Sequence, residues 1–226
     1  MKTFNLNHQL VQAKLVDGLI DGKATFYDSL GNFINITTYE RGIRSGISIN
    51  YYANRTVSDS VEIVAGKENG YWRYYDSNGN RTYCAYYYYG LLFGPELMYE
   101  NDKLIKYIFS NFNRRVIGES DYDSVGKIDS IHIFHMDFIV NDKQFNGKRV
   151  VNIFAYLPTI PGATQSFSIG LTNKMHVINK LYPVKGNRFI IDTLLPVPPP
   201  NWHYFIGCDF NPNNGTKKTF FIEEDY

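Results

Sequence analysis

Glycine recurs at an interval of 24 residues along the first half of the chain, at Gly22, Gly46, Gly70 and Gly94. A tyrosine follows each of them five residues later, at Tyr27, Tyr51, Tyr75 and Tyr99. A second glycine precedes each by four residues, at Gly18, Gly42, Gly66 and Gly90. Three registers in phase over four copies mark an internal duplication, and a fixed period of this size belongs to folds that stack one supersecondary unit on the next. A unit so short cannot bury its own hydrophobic face, so the first half of the chain has to fold as an array.

Each unit reads as a β-hairpin. In copy three, GYWRYY is an aromatic strand, DSNGN a turn and RTYCAYYYYG the returning strand. Aspartate and asparagine bond their own backbone in such turns, and glycine supplies the positive φ that reverses the chain. Copy one repeats the grammar as GKATFY, DSLGN and FINITTYERG. The turn register holds Gly31 and Gly79 in copies one and three but Arg55 and Lys103 in copies two and four, where weaker turns are expected. Residues 3–17 form a half unit that would cap the array, and 1–17 is read as that cap. The repeats then occupy about 18–41, 42–65, 66–89 and 90–113, within a repeat domain spanning 1–113.

Side-chain alternation sets an expectation for the two faces. Tyr27, Tyr51, Tyr75 and Tyr99 fall in line with Thr25, Ile49, Arg73 and Leu97. On the returning strands Tyr39, Ile63 and Tyr87 are equivalent, as are Val61, Ala85 and Phe109, and the whole set is assigned to one buried spine face. Phe26, Trp72 and Tyr74, with Tyr86 and Tyr88 on the returning strand, are assigned to the opposite, exposed face. Trp72, Tyr74, Tyr86 and Tyr88 are therefore the candidate binding surface, because exposed aromatic patches mark partner surfaces.

The pattern G-x-x-x-x-Y, a turn, then Y-x-x-G resembles the MORN repeat, in the divergent bacterial variant described as antitoxin-like, over about residues 16–113. The resemblance implies consecutive hairpins in an elongated sheet. It also implies protein–protein contact, scaffolding or lipid-surface association, and no catalysis. The chain departs from the usual motif by lacking tryptophan in most units and turn glycines in copies two and four.

The phase is lost near Asn113. RRVIGESDYDSVGK, residues 114–127, is polar and reads as a linker. From 128 to 226 short apolar runs alternate with turn signals such as NDKQFNG, PTIPGA and NPNNG. Seven short strands of this kind predict an antiparallel β-sandwich, immunoglobulin-like in architecture. Pro196–Pro200 cannot lie in a central strand and mark an edge or a crossing segment. The fold class is all-β: an elongated antiparallel sheet of four 24-residue hairpin repeats, followed by a seven-stranded sandwich.

Composition narrows the function. A net charge of +1 with 20% charged residues lacks the clustered basic excess of a nucleic-acid footprint. Cys84 and Cys208 are 124 residues apart and read as two buried free thiols, with no metal or disulfide framework. His132 and His135 in HIFHMD point to opposite faces of a strand, so a metal site shared with Asp137 is not expected. DFNPNNGT opens like a calcium loop, but Phe220 stands where a bidentate glutamate is required, so a hairpin turn is the better reading.

No apolar run spans a bilayer and no signal peptide is legible. The chain is therefore expected to be cytoplasmic as given, or else the mature form of an exported or surface lipoprotein. No catalytic or cofactor signature is present. The functional expectation is a non-enzymatic protein-binding or scaffold protein without cofactor or metal. The alternatives are a carbohydrate-binding surface protein and an antitoxin-like inhibitor of a toxin partner.

Overall fold

The computed structural model describes residues 2–6, 9–133, 138–173, 180–184, 190–198, 202–212 and 218–223. All regular structure among them is β. Twelve strands, in sequence order, form one antiparallel sheet. They are β1 (Lys2–Leu6), β2 (Gln9–Val16), β3 (Leu19–Tyr27), β4 (Phe33–Glu40), β5 (Ile43–Tyr51) and β6 (Val57–Val64). Then follow β7 (Lys67–Tyr75), β8 (Arg81–Tyr88), β9 (Leu91–Glu100), β10 (Lys103–Ser110), β11 (Val116–Tyr122) and β12 (Ile128–Ile133). By internal contacts the chain divides into two compact units, Met1–Ile105 and Lys106–Tyr226.

In the first unit each glycine register has a distinct backbone task. Gly18, Gly42, Gly66 and Gly90 sit at positive φ beside Asp17, Arg41, Ala65 and Tyr89, which are also at positive φ. Two consecutive such residues make the two-residue hairpin turn whose twist matches the strands. Successive turns are tied together: Gly42 N donates to Ile20 O at 2.7 Å, Gly66 N to Arg44 O at 2.8 Å, and Gly90 N to Glu68 O at 2.7 Å.

The Gly22 register lies inside strands and not at their start. There the pairing slips, as between Val61/Ile63 on β6 opposite Gly70, whose φ is 127°. These are β-bulges, one per repeat, at the positions where only glycine adopts the backbone without strain.

The longer turns share one design. Asp76 N donates to Asn80 O at 2.8 Å, and Asp76 Oδ1 accepts from the backbone of Asn78 and Asn80 at 2.9 Å each. Asp28 does the same with Leu30 and Asn32. The carboxyls of Asp28 and Asp76 are held below the usual range first by the side-chain amides of Asn32 and Asn80.

Copy two keeps this turn with Tyr52 in the aspartate position and Arg55 at φ 69° in the glycine position. Its deficit is offset by bonds to the next turn, from Tyr52 Oη to Tyr75 O at 2.7 Å and from Asn54 Nδ2 to Ser77 O at 2.8 Å. Copy four instead turns on Asn101 and Asp102, both at positive φ.

The segment 114–127, read as a linker, is a correction. Val116–Tyr122 is β11, paired to β10 and then to β12. Its closing turn, Asp123 to Lys127, uses the same aspartate bonding as copies one and three. The polar composition reflects strand and turn positions, with Ser120 fully buried between Tyr107 and Ile131 in register. Ile128–Ile133, expected to open the sandwich, pairs in the long sheet.

The second unit carries seven further strands: β13 (Phe138–Phe145), β14 (Lys148–Tyr156), β15 (Ala163–Asn173), β16 (Lys180–Val184), β17 (Ile190–Pro196), β18 (Trp202–Pro212) and β19 (Lys218–Glu223). They make a three-stranded sheet, β13-β14-β17, and a four-stranded sheet, β16-β15-β18-β19. Alternate residues are buried: Val151, Ile153 and Ala155 on β14, and Phe167, Ile169 and Leu171 on β15. On β18 the buried set is Tyr204, Ile206, Cys208 and Phe210, joined by Phe205.

Tyr204 Oη donates to Pro196 O at 2.6 Å, linking β18 to β17 across the two sheets. Pro196 ends β17, an edge strand of its sheet, opposite Val150. Also in this unit, Tyr107 Oη accepts from Thr159 N at 3.0 Å and Tyr122 Oη donates to Pro161 O at 2.9 Å. Both cysteines are buried and outside any disulfide. Among the described residues no helix is long and apolar enough to cross a membrane.

Candidate functional site

Strand register decides which side chains share a face of the repeat sheet. One cross-strand row runs Ala24, Thr37, Ser48, Val61, Trp72, Ala85 and Glu96. The next runs Phe26, Asn35, Asn50, Asp59, Tyr74, Tyr83 and Met98. This face is the packed one. Ala24 and Ala85 are fully buried, and Phe26, Thr37, Ser48 and Val61 are nearly so. Val11, Ala13, Ala24 and Phe26 form a cluster that Ile20, Ile34 and Tyr39 cover.

The tyrosine spine is a second correction. Gly22 pairs with Tyr39, Gly46 with Ile63 and Gly70 with Tyr87, while Ala24 pairs with Thr37. Tyr39, Val61, Ile63, Ala85 and Tyr87 therefore belong to the alanine face, and Tyr27, Tyr51 and Tyr75 to the other.

On that second face the tyrosines form a half-exposed ladder. Tyr27 meets Phe33 at 6.1 Å between centroids, Phe33 meets Tyr51 at 4.5 Å, and the Arg81 guanidinium lies over Tyr99 at 5.1 Å. Counting by twos fails because the pairing slips again between Phe26/Tyr27, and at the equivalent Asn50/Tyr51 and Tyr74/Tyr75 of copies two and three.

The four candidate aromatics are consequently divided. Trp72 and Tyr74 sit side by side on the alanine face, half-buried and stacked at 5.4 Å and 13°. Tyr86 lies on the opposite face, edge-on to Tyr71 at 5.1 Å. Tyr88 is exposed at the turn end of β8, edge-on to Tyr89 at 4.9 Å. They do not make one surface.

Trp72 and Tyr74 instead border a polar interruption of the packed face. Asn35 Nδ2 donates to Asn50 Oδ1 at 2.7 Å and to Ile49 O at 3.0 Å. Thr37 Oγ1 donates to Asn35 Oδ1 at 2.7 Å and lies 2.6 Å from Ser48 Oγ. Asp59 Oδ1 accepts from Asn50 Nδ2 at 2.8 Å and from the Trp72 indole N–H at 3.0 Å, and Asp59 Oδ2 accepts from Ser58 Oγ at 3.0 Å.

Above this network is an open cleft of about 350 Å³. Phe26, Ile34 and Tyr39 line one part of it and Val61 and Trp72 another, with Arg44 and Glu68 also contributing. Arg44 Nη2 lies 3.9 Å from Glu68 Oε1. Burial, then the nearby Tyr87 and Asp59, push the Tyr74 phenol up to about 12, so the hydroxyl is neutral at physiological pH. Burial raises Tyr39 as well, with Arg44 opposing.

A second feature lies at the turn ends of the hairpins. Leu19, Ile43, Val64, Tyr88 and Leu91 flank the two-residue turns and are exposed. A Cβ on Gly42 would lie 3.3 Å from Leu19, and one on Gly66 3.8 Å from Ile43, so these two turns rest on the aliphatic side chain of the one before, whereas the Gly90 turn faces the Glu68 carboxylate. The result is a largely apolar rim in which the repeat register holds Leu19, Ile43 and Leu91 and is interrupted by Lys67 in copy three.

Among the described residues no group of three histidine, cysteine or acidic side chains could hold a metal ion. His135 and Asp137, and the tip of the calcium-like loop at 213–217, lie outside the described residues. Burial pushes both cysteine thiols up, away from reactive thiolate. Comparison with protein families and with curated proteins finds no match.

Proposed function

We propose that the chain is a non-enzymatic binding or scaffold protein whose repeat sheet docks a protein partner along the apolar rim. The observation that carries this reading is the spacing of Leu19, Ile43 and Leu91, exposed at the ends of hairpins fixed to one another by turn-to-turn bonds. Aliphatic side chains held at fixed spacing, with Lys67 between Ile43 and Leu91, suit an extended partner surface, because little ordering entropy is lost on docking. Hairpin stacking supports the MORN-like reading of the same region.

The three-plus-four strand order, with β15 and β18 central in the larger sheet and β14 central in the smaller, supports an immunoglobulin-like reading of the C-terminal strands. That architecture is a common docking module.

The test is affinity capture from native lysate with the wild type and with L19D/I43D/L91D, followed by quantitative mass spectrometry. The expected result is a small set of proteins retained by the wild type and lost by the variant, with unchanged circular dichroism. Identical retention by both would contradict the docking role of the rim.

A further inference from the structure

The polar cleft exists because of a change of residue type at two phase positions of the repeat. Phe26, Asn50 and Tyr74 are equivalent positions 24 residues apart, and so are Ala24, Ser48 and Trp72. Copy two places an amide and a hydroxyl where copy three places aromatic rings. The aromatic surface of the alanine face is broken there, leaving a gap between Phe26 and Trp72 that is floored by hydrogen-bonding groups.

The lining determines what suits it. Arg44 and Glu68 are the charged lining residues, and they pair with each other. An anion or a cation would find no net opposing charge. A purely apolar ligand would strip water from Asn35, Asn50, Arg44 and Glu68 without replacing its hydrogen bonds.

An uncharged ring with an apolar C–H face and a hydroxylated edge satisfies both parts. Its face would pack on the half-buried Trp72, and its hydroxyls would bond the guanidinium and carboxylate. The Trp72 indole is already oriented by Asp59 and stacked on Tyr74, and the floor amides are fixed by one another. A preorganised wall costs little ordering on binding. The volume falls at the lower end of small-molecule sites, which hold roughly 300–1,000 Å³.

We propose that this cleft is a saccharide-binding site, with a neutral sugar ring against Trp72 and its hydroxyl groups on Arg44, Glu68 and the Asn35–Asn50 amides. The site is separate from the apolar rim, so its failure or success leaves the docking reading where it stands.

The experiment is a glycan array probed with the full labelled chain, followed by calorimetric titration of the best-binding saccharide. Saturable binding is expected, weakened about tenfold or more by Trp72→Ala, since aromatic contacts of this kind are worth of the order of one decade in affinity. Glu68→Gln and Arg44→Gln, both on partly exposed side chains, should each weaken it severalfold without altering the circular dichroism. They carry the test if Trp72→Ala fails to fold. Leu91→Ser at the rim should leave binding unchanged. A blank array, or binding that survives Glu68→Gln and Arg44→Gln with unaltered affinity, overturns the proposal.

Discussion

The two faces of the repeat sheet are built from the same strands yet carry different burdens. On the alanine face small residues lie flush with the backbone and larger neighbours close over them, so Ala24 and Ala85 are wholly inaccessible. On the tyrosine face Tyr27, Phe33 and Tyr51 stand in a ladder that packs along the sheet while remaining half-exposed. The first face therefore tolerates little, and its polar interruption at Asn35, Thr37, Ser48 and Asn50 is affordable only because every member is bonded. The second draws on cross-strand pairs worth a few tenths to about 1 kcal/mol each and can lose one.

The sharpest way to break that contrast is a pair of adjacent charges. Ala24→Asp buries an unpaired carboxylate and should cost about 3 kcal/mol or more, enough to lose cooperative unfolding. Thr25→Asp, one residue on and facing the ladder, should cost about 1 kcal/mol or less by denaturant titration. Equal losses would mean the faces are not distinct.

Next in size is the bulge glycine. Gly70→Ala strains a φ of 127° and drives its Cβ into the Glu62 carboxylate, whereas the same change at Gly22 meets nothing within 4 Å. Both should destabilise, Gly70→Ala by about 2–3 kcal/mol and Gly22→Ala by about 1 kcal/mol.

A smaller effect of opposite sign is expected at copy two. Arg55→Gly relieves a positive φ of 69° and should raise stability by about 1 kcal/mol or less, read as a higher Tm.

The smallest is pH-dependent. Asp28 and Asp76 have carboxyls held below their unfolded value of about 3.9. The folded form thus binds fewer protons. Their contribution is present above that value and is lost as pH falls through the folded pKa, so D28N/D76N should flatten the acid limb of the stability curve.

The repeat was legible because its turns and bulges demand a backbone that glycine supplies, and glycines at fixed phase are visible in a string of letters. Face assignment was not, because parity changes wherever two residues oppose one. Tyr27 and Tyr39 share a face when counted by twos through Phe33, yet the pairing slips once between them, at Phe26/Tyr27, and that single slip reverses the parity. The β11 strand was hidden by its polarity, since Glu119, Ser120 and Asp121 look like a loop until Lys106 is seen to pair with both acids, at 3.1 and 3.3 Å.

The cleft went unread for a different reason. Asn35, Ser48 and Asn50 are ordinary strand residues singly, and only register brings them together. The signal that could have found them is the substitution of Asn50 for the aromatic at Phe26 and Tyr74, visible once the copies are aligned at 24 residues.

Both the face assignment and the preformed site turn on Trp72, whose indole N–H donates to Asp59 within the alanine-face network. Hydrogen exchange of that indole proton, followed by NMR in the full chain and in Asp59→Ala, tests them together. Exchange slowed at least about tenfold relative to a free indole, and released in Asp59→Ala, is the expected result. Free exchange in the wild type would contradict a Trp72 held in a packed, hydrogen-bonded wall.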